Sequence, residues 1–140
     1  AMRRGNRVTI SSRKMLVMPR VVRRQSYNSV TVFWLDREAA VRAVRDAARR
    51  LVHSDPSVVR VVLFGSLASG TATAASDADI LVELSETGTR LLDRPPQYAD
   101  AFSDIGLAAE LFVYTTEELA GPDPPPVGRH ARKTGVQLAP

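Results

Sequence analysis

Residues 58–84 read VVRVVLFGSLASGTATAASDADILVEL, two strand-like runs joined by a turn of small residues. Val58 to Phe64 is nearly continuous in apolar character, the pattern of a central strand, and it ends at Gly65. Ala78 to Leu84 is a second run, entered through Ser76-Asp77-Ala78-Asp79. Gly65-Ser66, with small residues at Ala68, Ser69 and Gly70, lets backbone approach an anion closely. A helix opening there would present unpaired N–H groups to a phosphate, and the Ser66 hydroxyl adds one donor. Taken alone, Gly-Ser after a strand is more often an ordinary turn. Asp77 and Asp79 are two residues apart, so both carboxylates of an extended chain point to one face and can converge on a hard divalent cation. The competing reading is two solvated acids at a strand entrance, with Asp77 making a local turn bond.

Outward from that stretch, Ala109-Glu-Leu-Phe-Val-Tyr114 reads as a further strand. Glu110 sits between apolar neighbours, and a carboxylate in a core-type strand is costly unless it is paired or coordinated. It is a third metal ligand, a base for an attacking hydroxyl, or the structural partner of an arginine such as Arg60. Towards the N-terminus, Val30-Thr-Val-Phe-Trp-Leu35 is β-branched and aromatic and reads as a strand. Asp36 stands where an N-cap belongs, and Ala40, Val44, Ala47 or Ala48, and Leu51 recur at helical spacing, so a helix should run to about His53. A short helix is expected near Gln97–Phe102, another starting at Thr115 with Glu117 and Glu118 in its first turn, and a last one over Val127–Lys133. The sum is an α/β or α+β fold, a small mixed β-sheet flanked by helices.

A chain of 140 residues is of single-domain length, and 44% hydrophobic with 24% charged residues is an ordinary globular composition. The absence of cysteine excludes disulfides and thiolate metal sites, leaving carboxylates and the two histidines, His53 and His130, as ligands. No apolar run approaches the roughly 20 residues that span a bilayer, and no secretory signal is visible, so a cytoplasmic location is expected. The net charge of +4 is unevenly spread. Residues 1–35 hold eight of the 19 Lys and Arg and no acid, whereas the remainder holds 11 bases and all 15 acids. Residues 1–27 therefore read as a basic arm, 28–120 as the main domain, and 121–140 as a proline-rich break with a short helix. Nucleic-acid contact through the arm is one reading, and a solvated terminus is the preferred one.

The run LFGSLASGTATAASDADILVEL resembles the signature of the DNA polymerase β-type nucleotidyltransferase superfamily: Gly-Ser, about ten residues, then Asp-X-Asp. The short length and the later ELFVYTTEEL are similar to its minimal nucleotidyltransferases. The resemblance covers roughly residues 28–120. It implies that Gly65 and Ser66 hold nucleotide phosphates, that Asp77 and Asp79 bind metal, and that Glu110 completes a catalytic triad with Mg²⁺ or Mn²⁺. The implied reaction is transfer of a nucleoside monophosphate, AMP from ATP, to an acceptor hydroxyl. It also implies a partner: proteins of this kind resemble the antitoxin half of a pair with a helical HEPN-type toxin, modified on a tyrosine or masked directly. The alternative is a degenerate transferase that only sequesters a protein partner. Two departures bear on this choice. Ser69 stands where many relatives carry arginine, and the third carboxylate is Glu110 where aspartate is commoner.

Overall fold

The structure is a computed structural model and describes residues 21–140. Two antiparallel strands, β1 (Val22–Tyr27) and β2 (Val30–Leu35), form a hairpin that stands apart from the main sheet. Asn28 in its turn takes a positive φ of 56°, which asparagine tolerates and a two-residue hairpin requires. Helix α1 (Arg37–Ser54) follows at once. Asp36 caps it, its side chain accepting from the Ala39 N–H at 3.1 Å. The expected stripe of Ala40, Val44, Ala47, Ala48 and Leu51 is the buried one.

The main sheet has the order β5-β4-β3-β6, with β3 at Val58–Phe64, β4 at Ala78–Leu84, β5 at Ala109–Thr115 and β6 at Val136–Ala139. It is mixed: β4 and β5 run parallel, and the other pairs are antiparallel. A short helix α2 (Gly65–Ser69) links β3 to β4, and α3 (Pro95–Tyr98) with two 3-10 turns lies on the crossover from β4 to β5. Helices α4 (Thr116–Ala120) and α5 (Pro126–Thr134) precede β6. Among the described residues no helix is long and apolar enough to cross a membrane.

Alternation along β4 divides the core in two. Ala78, Ile80, Val82 and Leu84 join a large cluster with α1, Phe102 and Ile105. Leu81 belongs to a smaller cluster on the other face with Val62, Phe64, Leu119 and Ala131, and Asp79 shares that face. The arrangement is the expected α+β sheet with helices on it, and it differs from the sequence reading at both ends. The 27/28 boundary falls in the hairpin turn, so residues 22–27 are a strand paired with the next one rather than part of an arm. Residues 1–20 of the proposed arm lie outside the described residues. At the other end, β6 pairs with β3, so the segment after the proline-rich break contributes a strand to the domain.

Candidate active site

Gly65 leaves β3 with a positive φ of 74°, a conformation open to glycine and strained for other residues. Side-chain space forbids a substitution too, because a Cβ at Gly65 would collide with the Asp79 carboxylate. The first of the two strand ends is thus fitted against the acid of the second. The turn is then locked from below. The Ser66 carbonyl accepts from the N–H groups of Gly70, Thr71 and Ala72 at 3.0, 3.0 and 3.1 Å. The Ser66 hydroxyl makes no hydrogen bond among the described residues, so it is available to a ligand.

Asp79 is half-buried at the start of β4, and Glu110 lies directly opposite it in the parallel β4–β5 register. The two carboxyls lie close enough to act on each other directly. Burial pushes the Asp79 carboxyl above its ordinary value of 3.8, and Glu110 and then the charge of Asp77 push it further. Asp77 is exposed, one residue ahead of the strand. Gly65, Asp79 and Glu110 are thereby brought together, with Asp77 close enough to act on Asp79 electrostatically. The sequence reading of Glu110 needs correction in one respect: it is exposed, at the start of the edge strand β5. Arg60 is not its partner. It faces Glu83 across the β3–β4 ladder, with Nε 3.6 Å from Oε1.

The donor set suits a hard divalent cation in kind: three carboxylates, two already repelling each other in a way that a cation relieves. As they stand, no three acids or imidazoles among the described residues are grouped closely enough to hold one ion. Both Asp77 and Glu110 are exposed, and both act electrostatically on Asp79. Sequence reasoning missed one contributor. Arg37, the first residue of α1, donates from Nε to the Leu67 carbonyl at 3.0 Å and from Nη2 to the Ala68 carbonyl at 2.9 Å. It brings a guanidinium to the loop whose own position 69 is serine, and it satisfies carbonyls at the end of α2. Thirty residues of separation hid it; the only local signal was an arginine beside the N-cap, where the helix dipole disfavours a cation.

A crystal structure of a candidate nucleotidyltransferase from Sulfolobus solfataricus is similar in fold, with a TM-score of 0.50 at 20% sequence identity, over 72% of this chain and 80% of that one. No curated protein matches the chain. The sequence model of the nucleotidyltransferase domain matches residues 41–124, more than half of the chain, from within α1 to just beyond α4. That span includes Gly65, Ser66, Asp77, Asp79 and Glu110. The chain belongs to the nucleotidyltransferase domain family.

Proposed function

We propose that the chain transfers AMP from ATP to an acceptor hydroxyl, and that the acceptor is a tyrosine of a helical HEPN-type toxin made with it. The observation that carries the reading is the fit of Asp79 between Gly65 and Glu110. It sets the phosphate-holding turn against the acids within one contact. The acceptor oxygen forms a bond to the α-phosphorus as the bond to pyrophosphate breaks, and the hydroxyl proton leaves for Glu110 or solvent. Gly65 and Ser66 hold phosphate oxygens through backbone approach and the free Ser66 hydroxyl. Asp77, Asp79 and Glu110 would hold Mg²⁺ or Mn²⁺, which when bound neutralises phosphate charge and orients the reacting oxygens. Glu110, exposed at the sheet edge, is open to a large acceptor. ATP and a co-produced toxin meet in the cytoplasm, the location this reading requires.

The test uses the full chain, α-labelled ATP and the co-expressed partner. Label should appear on the partner with Mg²⁺ or Mn²⁺ and vanish with chelator, and calorimetry should show ATP affinity falling with it. Ser69 in place of arginine favours a second reading, a sequestering module without chemistry. Equal ATP affinity with and without metal, and no label transfer, would select it.

A further inference from the structure

Of ten large hydrophobic side chains left exposed among the described residues, six lie in the hairpin: Val22, Tyr27, Val30, Val32, Phe33 and Trp34. Such clustering needs an explanation, since single exposed apolar residues do not. The strands pack chiefly on one another, anchored at the base by buried Val21 and by the Asp36 N–H donating to the Val21 carbonyl at 2.6 Å. A free two-stranded hairpin is marginal in water.

The register sorts these side chains by face. Arg23 opposes Trp34, Gln25 opposes Val32, and Tyr27 opposes Val30, so these six share one face. On it Tyr27, Val30, Val32 and Trp34 are 59, 58, 44 and 46% exposed. Its single base, Arg23, is taken up by Asp36 at 2.8 Å. The opposite face carries Arg24 beside Phe33 and a polar Ser26–Thr31 contact. Among the described residues the first face therefore holds four exposed apolar side chains and no unpaired charge, while the second holds Val22 and Phe33 together with the unpaired charge of Arg24.

We infer that the face of Tyr27, Val30, Val32 and Trp34 docks against the same face of a second copy of this chain, making a two-fold dimer through stacked hairpins. Across a two-fold axis a surface meets itself, which an apolar face without net charge allows and a cationic one resists. Nucleic acid is disfavoured because the face has no free cation for a phosphate. On the order of 400 Å² of apolar surface per copy, about 800 Å² in all, is below the standard size of a specific interface, so the association is weak and transient. This inference does not depend on the transferase chemistry.

Trp34 is the only tryptophan, so its emission reports on this face alone. Sedimentation velocity of the full chain from about 1 to about 200 µM should show a monomer–dimer equilibrium, with Trp34 emission moving to shorter wavelength as dimer forms. Added salt should leave it intact, since burial of apolar surface drives it. Val32→Thr keeps a β-branched residue and with it the hairpin, and should weaken association at least about tenfold. Phe33→Thr, on the other face of the same strand, should leave it unchanged. A monomer at about 200 µM, or a dimer as strong in Val32→Thr as in the wild type, overturns the inference. So does equal weakening by Phe33→Thr. Salt-sensitive quenching of Trp34 by a single-stranded oligonucleotide, with the chain monomeric, would assign the face to nucleic acid instead.

Discussion

Strand β5 has a charged pair at each end, and the two are built on opposite principles. At its start Glu110 lies against Asp79, acid beside acid. Just past its end Glu118 meets Arg94 in a two-pronged ion pair at 2.7 and 3.1 Å. Arg94 is 7% exposed, and it also donates to the Thr89 and Val113 carbonyls, so its buried charge is fully engaged. The hydrogen bond from Arg94 holds the Glu118 carboxyl below its ordinary 4.5 against the opposing effect of burial, with the Thr115 N–H adding to it. Asp79 is shifted the other way. The chain completes one pair with its own residues and leaves the other short of positive charge. An incomplete cluster retained at some cost in stability is what a site that binds a charged ligand looks like.

The largest effect should come from altering the incomplete pair. Asp79→Asn keeps the shape and removes the charge, so the fold should survive while label transfer from ATP falls by about a thousandfold or more, several kcal/mol of transition-state stabilisation. Gly65→Ala reaches the same carboxylate through geometry: the added methyl collides with Asp79 and is strained at positive φ, so transfer should fall without any change in charge. Wild-type rates in both variants would remove Asp79 from the chemistry.

The completed pair should answer in stability instead. Glu118→Ala strands the buried Arg94 and opens the capping box, in which Thr115 and Glu118 satisfy each other's backbone N–H groups. A loss of about 2–4 kcal/mol is expected, lowering Tm by roughly 8–15 °C. ATP binding measured well below the transition should be unaltered. A Tm within about 2 °C of wild type would mean that solvent replaces the pair at little cost.

Most of the sheet was legible because a buried strand writes its burial into its sequence. Val58–Phe64, Ala78–Leu84 and the β5 segment are apolar runs, and α1 announces itself by an N-cap and a helical stripe. The hairpin's first strand, VRRQSY, was not legible, since both its faces are exposed and no alternation is imposed on it. Four-residue β6 is too short to show a period, and only its pairing with β3 defines it. The acids of the site were visible as residue types out of place, Asp79 before an apolar run and Glu110 inside one. The exposure of Glu110 was not, because the sequence does not say that β5 is an edge. Arg37 and Arg94 were hidden for another reason: Arg37 reaches Ala68, 31 positions away, and Arg94 reaches Glu118, 24 positions away, beyond any local pattern.

The smallest effect separates the two ends most cleanly, and it lies in the sign of a pH dependence. With chelator present, Asp79→Asn should be more stable than wild type at pH 7, by a few tenths of a kcal/mol to about 1, since it removes a like-charge contact across adjacent strands. The raised carboxyl of Asp79 means that the native state holds its proton more tightly than the unfolded chain does. That advantage is complete below the ordinary value of 3.8 and is lost as pH rises through the raised folded value. The variant's lead should therefore open as pH rises and close below about 3.8. Glu118→Gln should show the reverse sign. Wild type should lead it above 4.5, and that lead should disappear as pH falls through the lowered folded value of Glu118. Thermal melts of the three proteins between about pH 3 and 8 measure both gaps in one series. If Asp79→Asn is the less stable protein at neutral pH, Asp79 is a structural residue whose charge the fold requires, and the contrast between the two ends of β5 is gone.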